Sequence, residues 1–140
     1  MWDGAEEARR WFAQAENDLD FARLALREKF FHQACFIAQQ SAEKSVTAIG
    51  YGLGDRTIIG HSVVALVERY AGRITGLDRL LEDAGVLDQL YIPTRYPNGL
   101  PGGVPFAAFH EPQARVAIEA AGRFLALARE RIERQSSGEG

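Results

Sequence analysis

Two stretches of this chain carry apolar residues at alternating steps of four and three. Ala8, Phe12, Ala15, Leu19, Ala22 and Leu26 make one; Ala114, Ile118, Ala121, Leu125, Ala128 and Ile132 make the other. That spacing lines side chains along one face of an α-helix, where a strand would need alternation by two. Each helix then has a narrow apolar seam and packs lengthwise on others. Asp3 and Glu6 have capping-box spacing, so the first helix is expected from there to about Arg27. A second pattern, in a new phase, runs through Phe30, Ala34, Ile37, Ser41, Ser45 and Ala48, and Gly50, Gly52 and Gly54 end it. A third helix is expected from Val63 to about Tyr70. A fourth stripe of Leu77, Leu80, Leu81, Ala84, Leu87 and Tyr91 follows, with Thr75 and Asp78 as N-cap residues. Glu111 and Pro112 open the last helix. The fold class is all-α: an up-and-down bundle of four to five helices. Residues 1–134 are expected as a single domain and 135–140 as a disordered tail.

At 140 residues with 46% apolar side chains, the chain can fill one core. The net charge of −3 gives no bulk attraction to nucleic acid and leaves room only for a local basic patch. A single cysteine, Cys35, excludes an internal disulfide and suits a reducing cytosol. The acidic start and the lack of an apolar run of about 20 residues predict a cytoplasmic protein with no membrane partner.

The least ordinary stretch is Leu87 to Asn98, in which Pro93 and Pro97 bracket Arg95 between Tyr91 and Tyr96. Each proline fixes its own φ and restricts its predecessor, so the exit from the fourth helix is stiff. It displays a guanidinium, whose planar fork of donors suits phosphate or carboxylate. Arg95, Tyr91, Tyr96 and Asn98 are the candidate ligand contacts here; the plain alternative makes both tyrosines core aromatics. Gln40, Glu43 and Lys44 lie within one turn of the second helix, either as a solvated face or, for Gln40 and Glu43, turned inward beside Arg95. Small residues around them allow a neighbouring helix to come close. His61 stands at the start of the third helix, either to meet an anion or to cap. The Gly- and Pro-rich segment from Asn98 to Phe109 is read as a mobile loop with Phe106 and Phe109 free to fold back.

Several chemistries are set aside. The paired Glu-x-x-His of di-iron bundles is missing. His32 and Cys35 make two ligands at most, so no metal and no cofactor are expected. The Gly50–Gly54 stretch lacks the Gly-Lys-Ser/Thr ending of a P-loop. No histidine has a marked serine or carboxylate neighbour that would make a nucleophilic triad.

The order Phe31-His32-Gln33-Ala34, Gln39-Gln40-Ser41-Ala42-Glu43-Lys44, Gly60-His61-Ser62 and Leu90-Tyr91-Ile92-Pro93-Thr94-Arg95-Tyr96-Pro97-Asn98 resembles HEPN-domain proteins (higher eukaryotes and prokaryotes nucleotide-binding). The resemblance covers nearly the whole chain. It implies a bundle of about five helices, a homodimer with a cleft between subunits, and nucleotide or RNA binding. It also implies pairing with a minimal nucleotidyltransferase in a toxin–antitoxin module. Many members are metal-independent ribonucleases with an Arg followed four to six residues later by a His. Here the next histidine after Arg95 is His110, Thr47 stands where a lysine is expected, and Asn98 where an aspartate is expected. Two readings remain open. In one, Arg95 holds phosphate, Lys44 adds charge and His61 or His110 contacts the ligand or acts as a base. In the other, Arg95 pairs with Glu43 and the protein is a non-catalytic dimerisation and interaction module.

Overall fold

A computed structural model describes residues 2–138. Six α-helices follow one another: α1 (Gly4–Arg27), α2 (Phe31–Gly52), α3 (Val63–Tyr70), α4 (Leu81–Asp88), α5 (Pro105–Ala108) and α6 (Glu111–Ser136). Among the described residues there is no strand.

The three long helices, α1, α2 and α6, pack on one another along their lengths. Their interfaces are built from small side chains. Ala8, Ala15 and Ala22 of α1, Ala34, Ala38 and Ala42 of α2, and Ala114, Ala117 and Ala121 of α6 are all fully buried. Close approach lets Ser41 Oγ of α2 donate to the Ala15 carbonyl of α1 at 2.8 Å. Leu19, Val46, Ile49 and Phe124 supply the bulk that fills the remaining space. Phe124 is off the α6 seam counted from the sequence. It is buried because α6 is covered on two sides, by α1 and by α2.

Local chemistry sets the helix ends. The Asp3 carboxylate accepts from the Ala5 and Glu6 amides and starts α1. Between α1 and α2, with no glycine available, Lys29 takes a left-handed φ of 66° and Phe30 N–H returns to the Ala25 carbonyl at 2.8 Å. Gly50 lies inside α2, where a Cβ would come within 2.4 Å of Tyr70 Oη. It is a close-packing residue, and the helix runs on to Gly52. α3 occupies the expected span, and Ser62 Oγ is its cap.

Three sequence expectations are corrected. Thr75 and Asp78 do not cap the fourth helix: Gly76 turns at φ 92°, a 3-10 turn spans Leu77–Leu80, and no side chain caps either segment. The segment from Asn98 to Phe109 is partly ordered into α5, with Pro105 buried and Phe109 against the core. Phe106 does not fold back and is 72% exposed. Gln135 and Ser136 of the expected tail continue α6, and Gln135 Nε2 donates to the Gly52 carbonyl at 2.8 Å. The rest of that tail ends beyond the described residues, at Glu139 and Gly140.

No helix among the described residues is long and apolar enough to cross a membrane.

Candidate functional site

α4 stops at Asp88, and residues 89–95 continue as successive turns. Pro93 has no N–H to extend the helical ladder. The Leu90 carbonyl is met instead by the Thr94 hydroxyl, which is buried. Arg95 and Tyr96 both donate their amides to the Ile92 carbonyl. A short 3-10 turn, Pro97–Gly99, then folds onto Pro93 so tightly that a Cβ on Gly99 would lie 3.0 Å from Pro93 Cα. The corner is thus closed on itself, and its one charged side chain is held in place.

Arg95 Nε donates to the Tyr91 carbonyl at 2.9 Å. Its guanidinium carbon sits 4.4 Å from the centre of the Phe36 ring, 4.5 Å from Tyr91 and 4.9 Å from Tyr96. Among the described residues no carboxylate pairs with it. Aromatic faces attract a cation without neutralising it. The result is a half-buried positive charge with its terminal donors uncommitted.

His61 joins this cluster through Tyr91. The two rings stack with centroids 5.0 Å apart and planes 16° from parallel. His61 Nδ1 lies 3.0 Å from Glu43 Oε1. A carboxylate can only accept, so Nδ1 carries a hydrogen, and in the neutral ring Nε2 is left as the acceptor. Glu43 is fixed in turn, since its Oε2 accepts from Gln39 Nε2 and Gln40 Nε2, both at 3.2 Å. Gln39, fully buried, also donates to the His61 carbonyl at 3.2 Å. The imidazole is therefore held at its ring and at its backbone by one face of α2.

The start of α3 is closed by a second device. The Asp88 carboxylate, at the end of α4, accepts from the Val63 amide at 2.6 Å, the Val64 amide at 3.2 Å and Ser62 Oγ at 2.7 Å. The N-terminal amides of α3 are thus taken by an anion from within the chain. His61 neither caps this helix nor has its amides free for an external phosphate.

Gln40, Glu43, His61, Tyr91, Arg95 and Tyr96 are consequently brought together. Lys44 is not: it points to α1, where Asp18 pairs with it. It lies beside a depression of about 550 Å³ that Glu7, Arg10, Trp11 and Gln14 also line. Arg10 is paired there with Glu7 at 2.8 Å. His110 stands ahead of α6, with its amide donating to Gln113 Oε1 at 2.8 Å, and has no hydrogen bond, ion pair or ring contact with Arg95. Asn98 is exposed in the 3-10 turn beyond Tyr96. The expected Arg95–Glu43 pair is absent; Glu43 faces His61. Sequence reasoning missed Phe36, Gln39 and Asp88. The spacing of Gln39 and Glu43, one helical turn apart, was the available signal for the second. No group of three or more potential metal ligands gathers among the described residues.

The sequence profile of the HEPN domain family matches residues 8–132. Among solved structures, TT1696 from Thermus thermophilus is 34% identical, with 89% of this chain and 97% of that one covered and a TM-score of 0.84. ST0689, an archaeal HEPN homologue, is 33% identical over 89% and 97% of the two chains, with a TM-score of 0.74. A HEPN domain protein (tm0613) from Thermotoga maritima is 26% identical over 89% and 98%, with a TM-score of 0.71. No curated protein matches the chain.

Proposed function

The chain belongs to the HEPN family, and from that premise we propose that it binds the phosphate of a nucleotide or RNA at the Arg95 corner. The observation that carries this reading is the guanidinium within 4.9 Å of three ring centres and, among the described residues, without a carboxylate partner. A charge so placed attracts an anion, and the planar fork can donate to it in pairs. Tyr96, 47% exposed, offers a ring on which a base can stack. The non-catalytic alternative required an Arg95–Glu43 pair and loses that support. Calorimetric titration of the protein with ATP and with a short single-stranded RNA tests the reading. Arg95→Ala is expected to weaken binding about tenfold or more, the loss of a charge-assisted hydrogen bond or more. Equal affinity in the two proteins overturns it.

One observation favours cleavage as well as binding. His61 keeps Nε2 unpartnered beside the ring that Arg95 also covers, and Glu43 orients it as a carboxylate orients a catalytic imidazole. In this reading His61 takes the proton of a ribose 2′-hydroxyl. The 2′-oxygen then forms a bond to phosphorus to give a cyclic phosphate, and the bond from phosphorus to the 5′-oxygen breaks. That oxygen leaves as an alcohol after taking a proton from water, His61 returns its proton to solvent, and Arg95 stabilises the charged transition state. In this reading His61, which precedes Arg95 in sequence, takes the part of the His that the family pattern puts four to six residues after the Arg. RNA cut in the presence of EDTA by the parent protein, and not by His61→Ala, would support it. Intact RNA would leave the protein a binder.

The family further supports a homodimer, and a minimal nucleotidyltransferase as the antitoxin partner of a toxin-like HEPN chain. Co-expression of the two with a tag on one tests the pairing.

A further inference from the structure

We propose that the chain carries a second anion site, apart from the Arg95 corner, whose ligand is a phosphate group. It is a depression of about 70 Å³ between the Ala71–Gly76 connection and the last turns of α6. Arg73, Ile74, Thr75, Glu130, Arg131 and Arg134 line it. The volume suits one tetrahedral oxyanion and little more.

Charge comes first. Three arginines face one carboxylate, in a chain whose net charge is −3. That carboxylate, Glu130, is occupied by Arg134 at 2.7 Å. Neither Arg73 nor Arg131 has an ion pair among the described residues.

An independent observation comes from Arg131. Its Nε is buried with no hydrogen-bond partner, and no other side-chain nitrogen or oxygen among the described residues is left so. A donor on a cation is costly to bury unmet, and because the atom is closed to a probe the size of water, an anion in the depression meets it by drawing the guanidinium round. Arginines in a last helical turn are commonly explained by the helix dipole. That account serves Arg134, which is exposed and paired within its own helix; it does not serve a guanidinium nitrogen turned away from water.

The remaining donors are placed to complete a cradle. Arg73 is steadied by one bond, from its Nη2 to the Leu53 carbonyl at 3.3 Å, and keeps its other donors. The Thr75 hydroxyl is exposed beside it. A wider depression alongside shares Arg73, Ile74 and Thr75 and adds one charge of each sign, Asp78 and Arg79. α3 separates this site from the first: His61 precedes its start and Arg73 follows its end, and eight residues span about 12 Å. The inference therefore stands whether or not Arg95 binds a nucleotide.

The phosphate has two sources, free phosphate or the backbone of RNA. The ¹⁵N-labelled full chain is titrated with inorganic phosphate and, separately, with a short single-stranded RNA, following backbone amides and arginine Nε–H resonances. Shifts at residues 73–75 and at the Arg131 Nε–H are expected. They should weaken about tenfold or more in apparent affinity in Arg73→Gln, a surface change that leaves the core untouched, and persist in Arg95→Ala. A response to phosphate alone assigns the site to small phosphates; a response to RNA only assigns it to a backbone. Silence at these resonances with both probes, or shifts unchanged in Arg73→Gln and in Arg131→Gln, overturns the proposal.

Discussion

A guanidinium lying over an aromatic face keeps its full charge and most of its donors, whereas one paired with a carboxylate has both partly satisfied. Arg95 is of the first kind and Arg123, which makes two bonds to Asp83 at 2.7 and 3.0 Å, is of the second. The two cannot be told apart from residue type. The prolines around Arg95 reported that its backbone is stiff, but not that Phe36, far back in the chain, would supply a third ring. Burial decides two other side chains. The Cys35 thiol, in the core, is pushed up to about 12, and His32, one turn earlier, is pushed below its usual value. Both shifts follow from loss of water around the charged form. At pH 8 the folded protein is therefore expected to react with iodoacetamide about 10³-fold more slowly than a thiol of ordinary acidity, because the thiolate is the nucleophile. The same measurement in denaturant should restore the ordinary rate. Rapid alkylation of the native chain would contradict the burial.

Among the elements, the short helix α3 depends most on a distant partner. Eight residues make a marginal helix in isolation. Its start is fixed by Ser62 and by Asp88, which lies 25 residues from Val63. A carboxylate on helix N-terminal amides is favourable, and removing a cap costs about 1–2 kcal/mol. Asp88→Ala is expected to lower urea stability by that amount with an unchanged denaturant slope. It should also weaken ligand binding at Arg95, because His61 immediately precedes the helix that Asp88 anchors. Unchanged stability would mean that water replaces the cap without loss. The periodicity of α1, α2 and α6 was enough to place them, since an apolar seam is a local property of sequence. The start of α4 was misread because Thr75 and Asp78 have cap-like spacing while Gly76, between them, takes a left-handed turn that spacing does not record.

For the molecule as a whole, small residues along α1, α2 and α6 let three long helices close on one core, with α3 and α4 packed beside them. The proposed homodimer belongs to this scale, and light scattering should return twice the 15.5 kDa chain mass. A mass of one chain at micromolar concentration would remove the dimer. What the sequence by itself determined was the helical class, the seams and the rigid corner. Helix spacing and proline geometry act over a few residues and are written locally. Only the tertiary structure decided which groups meet at Tyr91. His61 reaches Glu43 across 18 residues and Asp88 reaches Ser62 across 26, and those encounters depend on how the connections route one helix end past another. The same routing withdrew Lys44 and His110 from the cluster and brought in Gln39 and Phe36. Side chains on different elements meet through the summed packing of the core, which no short window of sequence contains.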